Sequence, residues 1–325
     1  MPVRPLSRRT LLAAAASLPL AGHAAEASAA AAGDAQRHYD RAAALAGADP
    51  VLKSMVRALS PGAQMPTVPD PEPLRIFDDV AVVGTGFVSA TALRTSRGIV
   101  LLDALGSTAD AEKIILPELR AVGMDPAEIR YVVVAHGHAD HYGGARHLAE
   151  RYGARVMMSP ADWDLVAGAP GDVPARDLEI SDGGRLTLGD TTIRFHHTPG
   201  HTPGTVSAIF PVHWRGRRHT AMLWGGTNPP AATADKRIQL SSVLSFASRM
   251  RRAGVEVELN NHGLSDNGLA RMEELRAGSA ENPFVIGRAR AQRFMKVMEA
   301  MLRGRIATDQ ESGAPLSRRS ECPCS

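Results

Sequence analysis

At 325 residues the chain has room for one large domain or two ordinary ones, and 44% hydrophobic content supplies a real core. Lysine and arginine number 37 against 34 aspartate and glutamate, and that excess vanishes if Arg4, Arg8 and Arg9 leave with an export leader. No basic surplus then remains to hold a phosphate backbone, so no nucleic acid is expected as a partner.

Ser7-Arg8-Arg9-Thr10-Leu11-Leu12 opens a basic-then-apolar segment that continues from Ala13 to Leu20. It is too short and too alanine-rich to span a bilayer as a stable helix, so no stable membrane anchor is expected. Residues 1–29 read as a signal peptide, and the paired arginines point to the twin-arginine export machinery. Cleavage is expected near Gly22-His23-Ala24 or Ala27-Ser28-Ala29, which makes the protein periplasmic or secreted.

Residues 30–73 read as a helical segment, Asp34 to Leu59, followed by a proline-rich linker from Pro61 to Pro73. Residues 74–305 read as the folded body. Strand-like runs come first: Leu74–Phe77, Val80–Val83, Phe87–Leu93 and Gly98–Asp103, punctuated by Gly84, Gly86 and Arg97-Gly98. A helix over Ala109–Val122, a buried strand at Tyr131–Ala135, a helix over Ala145–Tyr152 and a strand at Ala154–Met158 follow. A mostly strand section, Leu178–Trp224, leads to a helix over Arg237–Arg252, a strand at Val255–Leu259 and a helical end, Leu264–Arg305. Strands grouped at both ends of an αβ alternation predict an α/β fold with two packed sheets and helices outside. Residues 306–325 read as a disordered tail, in which Cys322 and Cys324 form either a strained local disulfide or a pair of free thiols.

His136-Gly137-His138-Ala139-Asp140-His141 follows the buried strand directly and packs four potential metal ligands into one turn. Without a cation, three imidazoles and a carboxylate there would cost solvation and repel whenever a histidine protonates. Two further turns each add one histidine: Thr198-Pro199-Gly200-His201-Thr202-Pro203-Gly204, stiffened by its Pro-Gly pairs, and Asn261-His262-Gly263 at a strand end. His136, His138 and His201 make a three-histidine site with an open position, and Asp140, His141 and His262 a second site beside it. His196 and His197 precede the Pro-Gly turn on a strand and are read as non-ligands.

The pattern His-x-His-x-Asp-His, then Pro-Gly-His-Thr, then a late His closely resembles the metallo-β-lactamase superfamily, over roughly Leu74 to Arg305. The resemblance implies a four-layer αβ/βα sandwich with two Zn2+ ions at the edge between two sheets. It makes Asp103 a residue that orients a ligand, the alternative being an aspartate that merely starts a loop. Relatives that hydrolyse glutathione thioesters or lactones carry a metal-binding aspartate after a later strand. The corresponding stretch, Ala221 to Asn228, has no carboxylate. That departure is similar to the third subclass of class B β-lactamases. The serines which that subclass places after this strand are replaced by Gly225, Gly226, Thr227 and Asn228.

The resemblance thus implies a hydrolase acting on a small-molecule substrate, with Asp140 both a ligand and the catalytic group that aligns the attacking water. A lactam is the expected substrate, with a lactonase or thioesterase as the alternative and a non-catalytic metal-binding homologue behind both. Thr227 and Asn228 are expected to contact substrate, and Trp224 and Tyr142 to line the cleft. Met295, Met298 and Met301 have helical spacing and read as core.

Overall fold

Glycine and proline split the N-terminal helical stretch in two. The structure, a computed structural model, describes residues 21–313, with side chains from residue 33 onward. Helix α1 (Ala21–Ala46) gives way to Gly47, which is left-handed at φ 53°. Asp49 then caps α2 (Pro50–Leu59): its carboxylate accepts from the N–H groups of Val51 and Leu52, and Pro50 starts the helix. This corrects the expectation of one helix from Asp34 to Leu59. The expected leader, residues 1–29, falls partly outside the described residues and partly on the first turns of α1.

The first sheet has seven strands in sequential order. β1 (Leu74–Arg75), β2 (Val80–Gly84), β3 (Ser89–Thr95) and β4 (Gly98–Leu102) pair antiparallel. β5 (Ile129–Val133), β6 (Arg155–Met158) and β7 (Leu178–Glu179) add in parallel. Between β4 and β5 lie α3 (Thr108–Asp110), a π-helical turn at Ala111–Ile115 and α4 (Leu116–Ala121). The expected continuous helix is loosened there beside Pro117, which has no N–H to give the ladder. α5 (Ala139–Tyr142) and α6 (Ala145–Tyr152) join β5 to β6, and α7 (Pro160–Val166) follows β6.

The second sheet contains β8 (Arg185–Leu188), β9 (Thr191–His197), β10 (Val206–Trp214) and β11 (Arg217–Trp224), all antiparallel. β12 (Val257–Asn260) returns parallel to β11 after α8 (Thr233–Ala253). α9 (Gly268–Arg276) and α10 (Arg288–Glu311) are the last elements among the described residues, so the expected helical end is two helices, separated by a segment in which Asn282 donates to the carbonyl of Ile76.

Alternation along the strands sorts side chains into layers. Val100 and Leu102 of β4 and Phe210 and Leu223 of the second sheet meet between the sheets, while Ile99 and Leu101 turn outward onto Leu116, Leu119 and Leu148. Met222 and Trp224 turn the other way, onto α8, α10 and α2. The result is the expected four-layer αβ/βα sandwich. Met295, Met298 and Met301 are buried in its last layer.

The N-terminal helices are part of this layer. The Tyr39 hydroxyl lies 2.8 Å from Thr308 Oγ1, and the N–H of Ala35 donates to Glu311. α10 therefore continues past Arg305, with Ile306 and Ala307 buried, which corrects the expected start of the tail at 306. Cys322 and Cys324 lie outside the described residues. Among those residues no helix is long and apolar enough to cross a membrane.

Candidate metal centre

Both sheets deliver their strand ends to the same edge. β5 leads into His136, Gly137 and His138, and α5 then carries Asp140 and His141. The β9–β10 turn brings His201, and the end of β12 brings Asn261 and His262. Candidate ligand atoms of His136, His138 and His201 lie within 4.8 Å of one another, as do those of His136, Asp140 and His141. His262 joins the second group, its Nε2 3.7 Å from Asp140 Oδ2. The six expected ligands are thus brought together.

Four of the imidazoles are oriented from behind. Nδ1 of His136 faces the carbonyl of Gly225 at 2.6 Å, that of His201 the carbonyl of Asn228 at 2.7 Å, and that of His262 the carbonyl of Phe87 at 2.9 Å. A carbonyl only accepts, so each Nδ1 carries the proton and each Nε2 presents a lone pair. Nδ1 of His141 lies 2.8 Å from Asp103 Oδ2. Nε2 of His136 and His201 consequently face each other at 3.1 Å, two acceptors with no proton between them. Nε2 of His141 is buried without a hydrogen bond, although Asp140 Oδ2 lies 3.3 Å away. A divalent cation among these atoms relieves every one of these deficits, and nitrogen with carboxylate oxygen is a donor set zinc accepts.

Electrostatics agree with that fit. Burial, then neighbouring imidazoles, push His136 well down, His201 to about 3 and His262 to about 4. These rings are neutral at pH 7, as metal ligation would require. Burial also tends to lower His141, but the carboxylates of Asp103 and Asp140 override it and raise the ring to about 10. The pocket between those carboxylates therefore favours a positive charge. Burial works to raise Asp140, yet His141 and then His262 hold it below the usual carboxylate range.

Glycine permits the close approach of the histidine turn to its neighbours. A Cβ on Gly226 would fall 2.7 Å from the His201 side chain, and one on Gly200, at φ 135°, would strike the backbone of Gln239 at 2.5 Å. Gly226, one of the residues that stand where that subclass has serines, thus makes space for the His201 ring.

Several expected substrate contacts are corrected. Trp224 is fully buried: alternation turns it outward onto α8, and its Nε1 donates to the carbonyl of Gly226. Tyr142 packs with the opposite helical layer. Thr227 is buried, and its hydroxyl accepts from Asn260 Nδ2 at 2.9 Å. Asn228 alone of the four is exposed, with its carbonyl committed to His201. His196 and His197 point elsewhere, toward Arg249 and the carbonyl of Ile180.

Three residues escaped the sequence reading. Asp162 on α7 is fully buried and joins two ligand loops, accepting from Gly137 N at 2.8 Å, Thr202 Oγ1 at 2.7 Å and Gly204 N at 2.8 Å. Asn261 Nδ2 donates to Asp103 Oδ2 at 3.0 Å; its place beside His262 was a signal left unused. Phe87, 57% exposed, sets its ring against His262 at a centroid distance of 4.9 Å. Leu165 also lies exposed, beside Gly137.

The metallo-beta-lactamase superfamily model matches residues 83–213. A metallo-beta-lactamase of Cronobacter sakazakii aligns at 28% identity and TM-score 0.59, covering 76% of this chain and 96% of that one. BJP-1, a subclass B3 metallo-beta-lactamase of Bradyrhizobium japonicum, aligns at 22% identity and TM-score 0.61 over 76% of this chain and 97% of that one. In sequence, a hydroxyacylglutathione hydrolase of Anaeromyxobacter dehalogenans is 34% identical over 101 residues, 30% of this chain and 34% of the relative. The chain spans between a third and a half of the length of curated relatives such as this one.

Proposed function

Starting from a chain that carries a metallo-β-lactamase superfamily domain, we propose a zinc-dependent hydrolase that opens a lactam. The observation that carries this reading is the pair of unprotonated Nε2 atoms of His136 and His201 at 3.1 Å, fixed by carbonyls behind each ring. His136, His138 and His201 would hold one zinc ion; Asp140, His141 and His262 would hold a second. When bound, the metal supplies Lewis acidity and a water acidified toward neutral pH.

The chain's own residues do the rest. Asp140, held anionic by His141 and His262, accepts a hydrogen bond from the attacking water and aligns it on the carbonyl carbon. Asp103 and Asn261 keep His141 in one orientation. Phe87, against His262, and Leu165, beside Gly137, are exposed and receive apolar parts of the substrate. The lactam is favoured because Ala221–Asn228 offers no further carboxylate to the metals and because 76% of this chain aligns with 96% of a metallo-beta-lactamase of Cronobacter sakazakii. A thioester is the second reading, supported by the sequence match to a hydroxyacylglutathione hydrolase. The Arg8-Arg9 leader supports twin-arginine export and a periplasmic or secreted location.

The test is turnover of a panel of lactams, lactones and thioesters by zinc-loaded protein, with and without chelator. Chelator-sensitive lactam turnover is expected. Turnover of thioesters or lactones alone transfers the assignment to the second reading, and no turnover of any class sinks the hydrolase proposal. His138→Ala is expected to abolish activity and His262→Ala to weaken it.

A further inference from the structure

Helix α8 covers only half of the outer face of the second sheet. At the metal end, Ile209, Met222 and Trp224 on that face meet Val243, Phe246 and Met250. α8 then stops at Ala253, with Gly254 left-handed. Over the far half of the sheet the same face stays open, as a cavity of about 410 Å³.

Strand alternation decides what faces this cavity. Thr192 and Arg194 of β9 and Arg218 and Thr220 of β11 all turn away from the inter-sheet core, while Ile193, Phe195 and Ala221 turn into it. Arg249 and Arg252, from the last turns of α8, complete the lining. Four arginines therefore line one volume, and no carboxylate lines it.

Little of that charge is answered. Arg249 donates to Asp182 at 3.0 Å and to His196 Nδ1 at 2.8 Å, and Arg252 donates to Ser248 Oγ. The guanidiniums of Arg194 and Arg218 have no hydrogen bond or ion pair among the described residues. His196 is pushed down to about 4 by burial and then by Arg249, so it accepts from Arg249 as a neutral ring. Arg249 has a carboxylate partner and the other three arginines have none among the described residues, so their like charges repel and a bound anion lowers that cost. Guanidinium donors match a tetrahedral oxyanion two at a time, and the Thr192 and Thr220 hydroxyls add neutral donors.

We propose that this cavity binds a small polyvalent oxyanion, a molecule bearing phosphate or sulfate groups. β9 and β11 both run from the cavity toward the metal edge, so the site lies at the opposite end of the sheet from the ligating histidines. The cations border one open cavity instead of forming a long stripe, which fits a small molecule and not a nucleic acid strand.

The experiment is calorimetric titration of the zinc-loaded full chain with naphthalene disulfonate, which does not strip zinc, and with inorganic phosphate. Both are expected to bind, more weakly as salt rises, and the preferred probe distinguishes a sulfate from a phosphate ligand. Arg194→Gln and Arg218→Gln are each expected to weaken binding at least about tenfold. Arg251→Gln removes the same charge from outside the cavity and is expected to leave affinity unchanged. If a strand variant fails to fold by circular dichroism, Arg252→Gln on the helix end gives the same readout. No heat from either probe with the wild-type chain overturns the proposal. So does equal weakening by Arg251→Gln, or binding that survives both strand variants but disappears on chelation.

Discussion

Replacing Asp162 with alanine tests whether one buried carboxylate holds the metal loops together. The side chain accepts from Gly204 N–H, Gly137 N–H and the Thr202 hydroxyl. Their fates differ once it is gone. Gly204 is buried and loses its partner outright, at about 1–3 kcal/mol. Gly137 is half-buried and partly rehydrates, and Thr202 still reaches Thr205 Oγ1 at 2.8 Å. Some of the loss is returned, because burial outweighs the three donors and raises the Asp162 pKa, so the charge itself sits at a cost. The net expectation is about 2–4 kcal/mol of destabilisation. Asp162→Asn keeps one acceptor oxygen and turns an NH2 toward the other donors, so about half that loss is expected. Urea denaturation of chelated and zinc-loaded samples separates the effect on the fold from the effect on the site. A zinc titration should show affinity reduced at least about tenfold in the alanine variant, since the His136 and His201 loops lose their common anchor. Stability within about 1 kcal/mol of wild type with unchanged zinc affinity would refute this account.

Asp103→Ala should weaken metal binding at the Asp140, His141 and His262 group by about ten- to a hundredfold, because His141 Nδ1 loses its carboxylate. Metal stoichiometry under competition with a chelator measures it, and two sites of unchanged affinity would count against the role. In metal-stripped protein, stability should peak near pH 6.5. His201 and His262, held at about 3 and about 4, bind fewer protons folded than unfolded, so stability falls as pH drops from about 6.5 toward 4. His141, raised to about 10, has the opposite sign: its contribution is complete below about 6.5 and is lost as pH rises toward 10. A urea midpoint that goes on climbing from pH 6.5 to 9 would contradict the His141 sign, and one that climbs as pH falls from 6.5 to 4 would contradict the sign for His201 and His262. Arg271→Ala leaves Glu258 and Asp266, both buried, without their shared cation. The expected loss is about 3–5 kcal/mol, read as a lower melting temperature, and a shift equivalent to under about 1 kcal/mol would be incompatible with it.

Local chemistry made much of this protein readable from sequence. The density of imidazoles between His136 and His141 implied a cation, and the stiff Pro-Gly turn around His201 implied a placed ligand. Periodicity located most strands, since alternation and strand ends are local properties. The Gly47–Pro50 stop and restart was also written in the chain, though a sparse count of breakers concealed it.

Tertiary structure decided the rest, because it depends on which faces meet. Trp224 lies one residue from the Gly225 carbonyl that orients His136, yet strand alternation sends its ring into the helical layer. No local pattern in Ser159-Pro160-Ala161-Asp162 announces that this aspartate will accept from residues 25 to 42 positions away. Arg194, Arg218, Arg249 and Arg252 read singly as solvated surface charges; they become one basic cavity because α8 ends halfway across the sheet. Sequence specifies what each side chain can bond to, but the packing of layers fixes which partners come within reach.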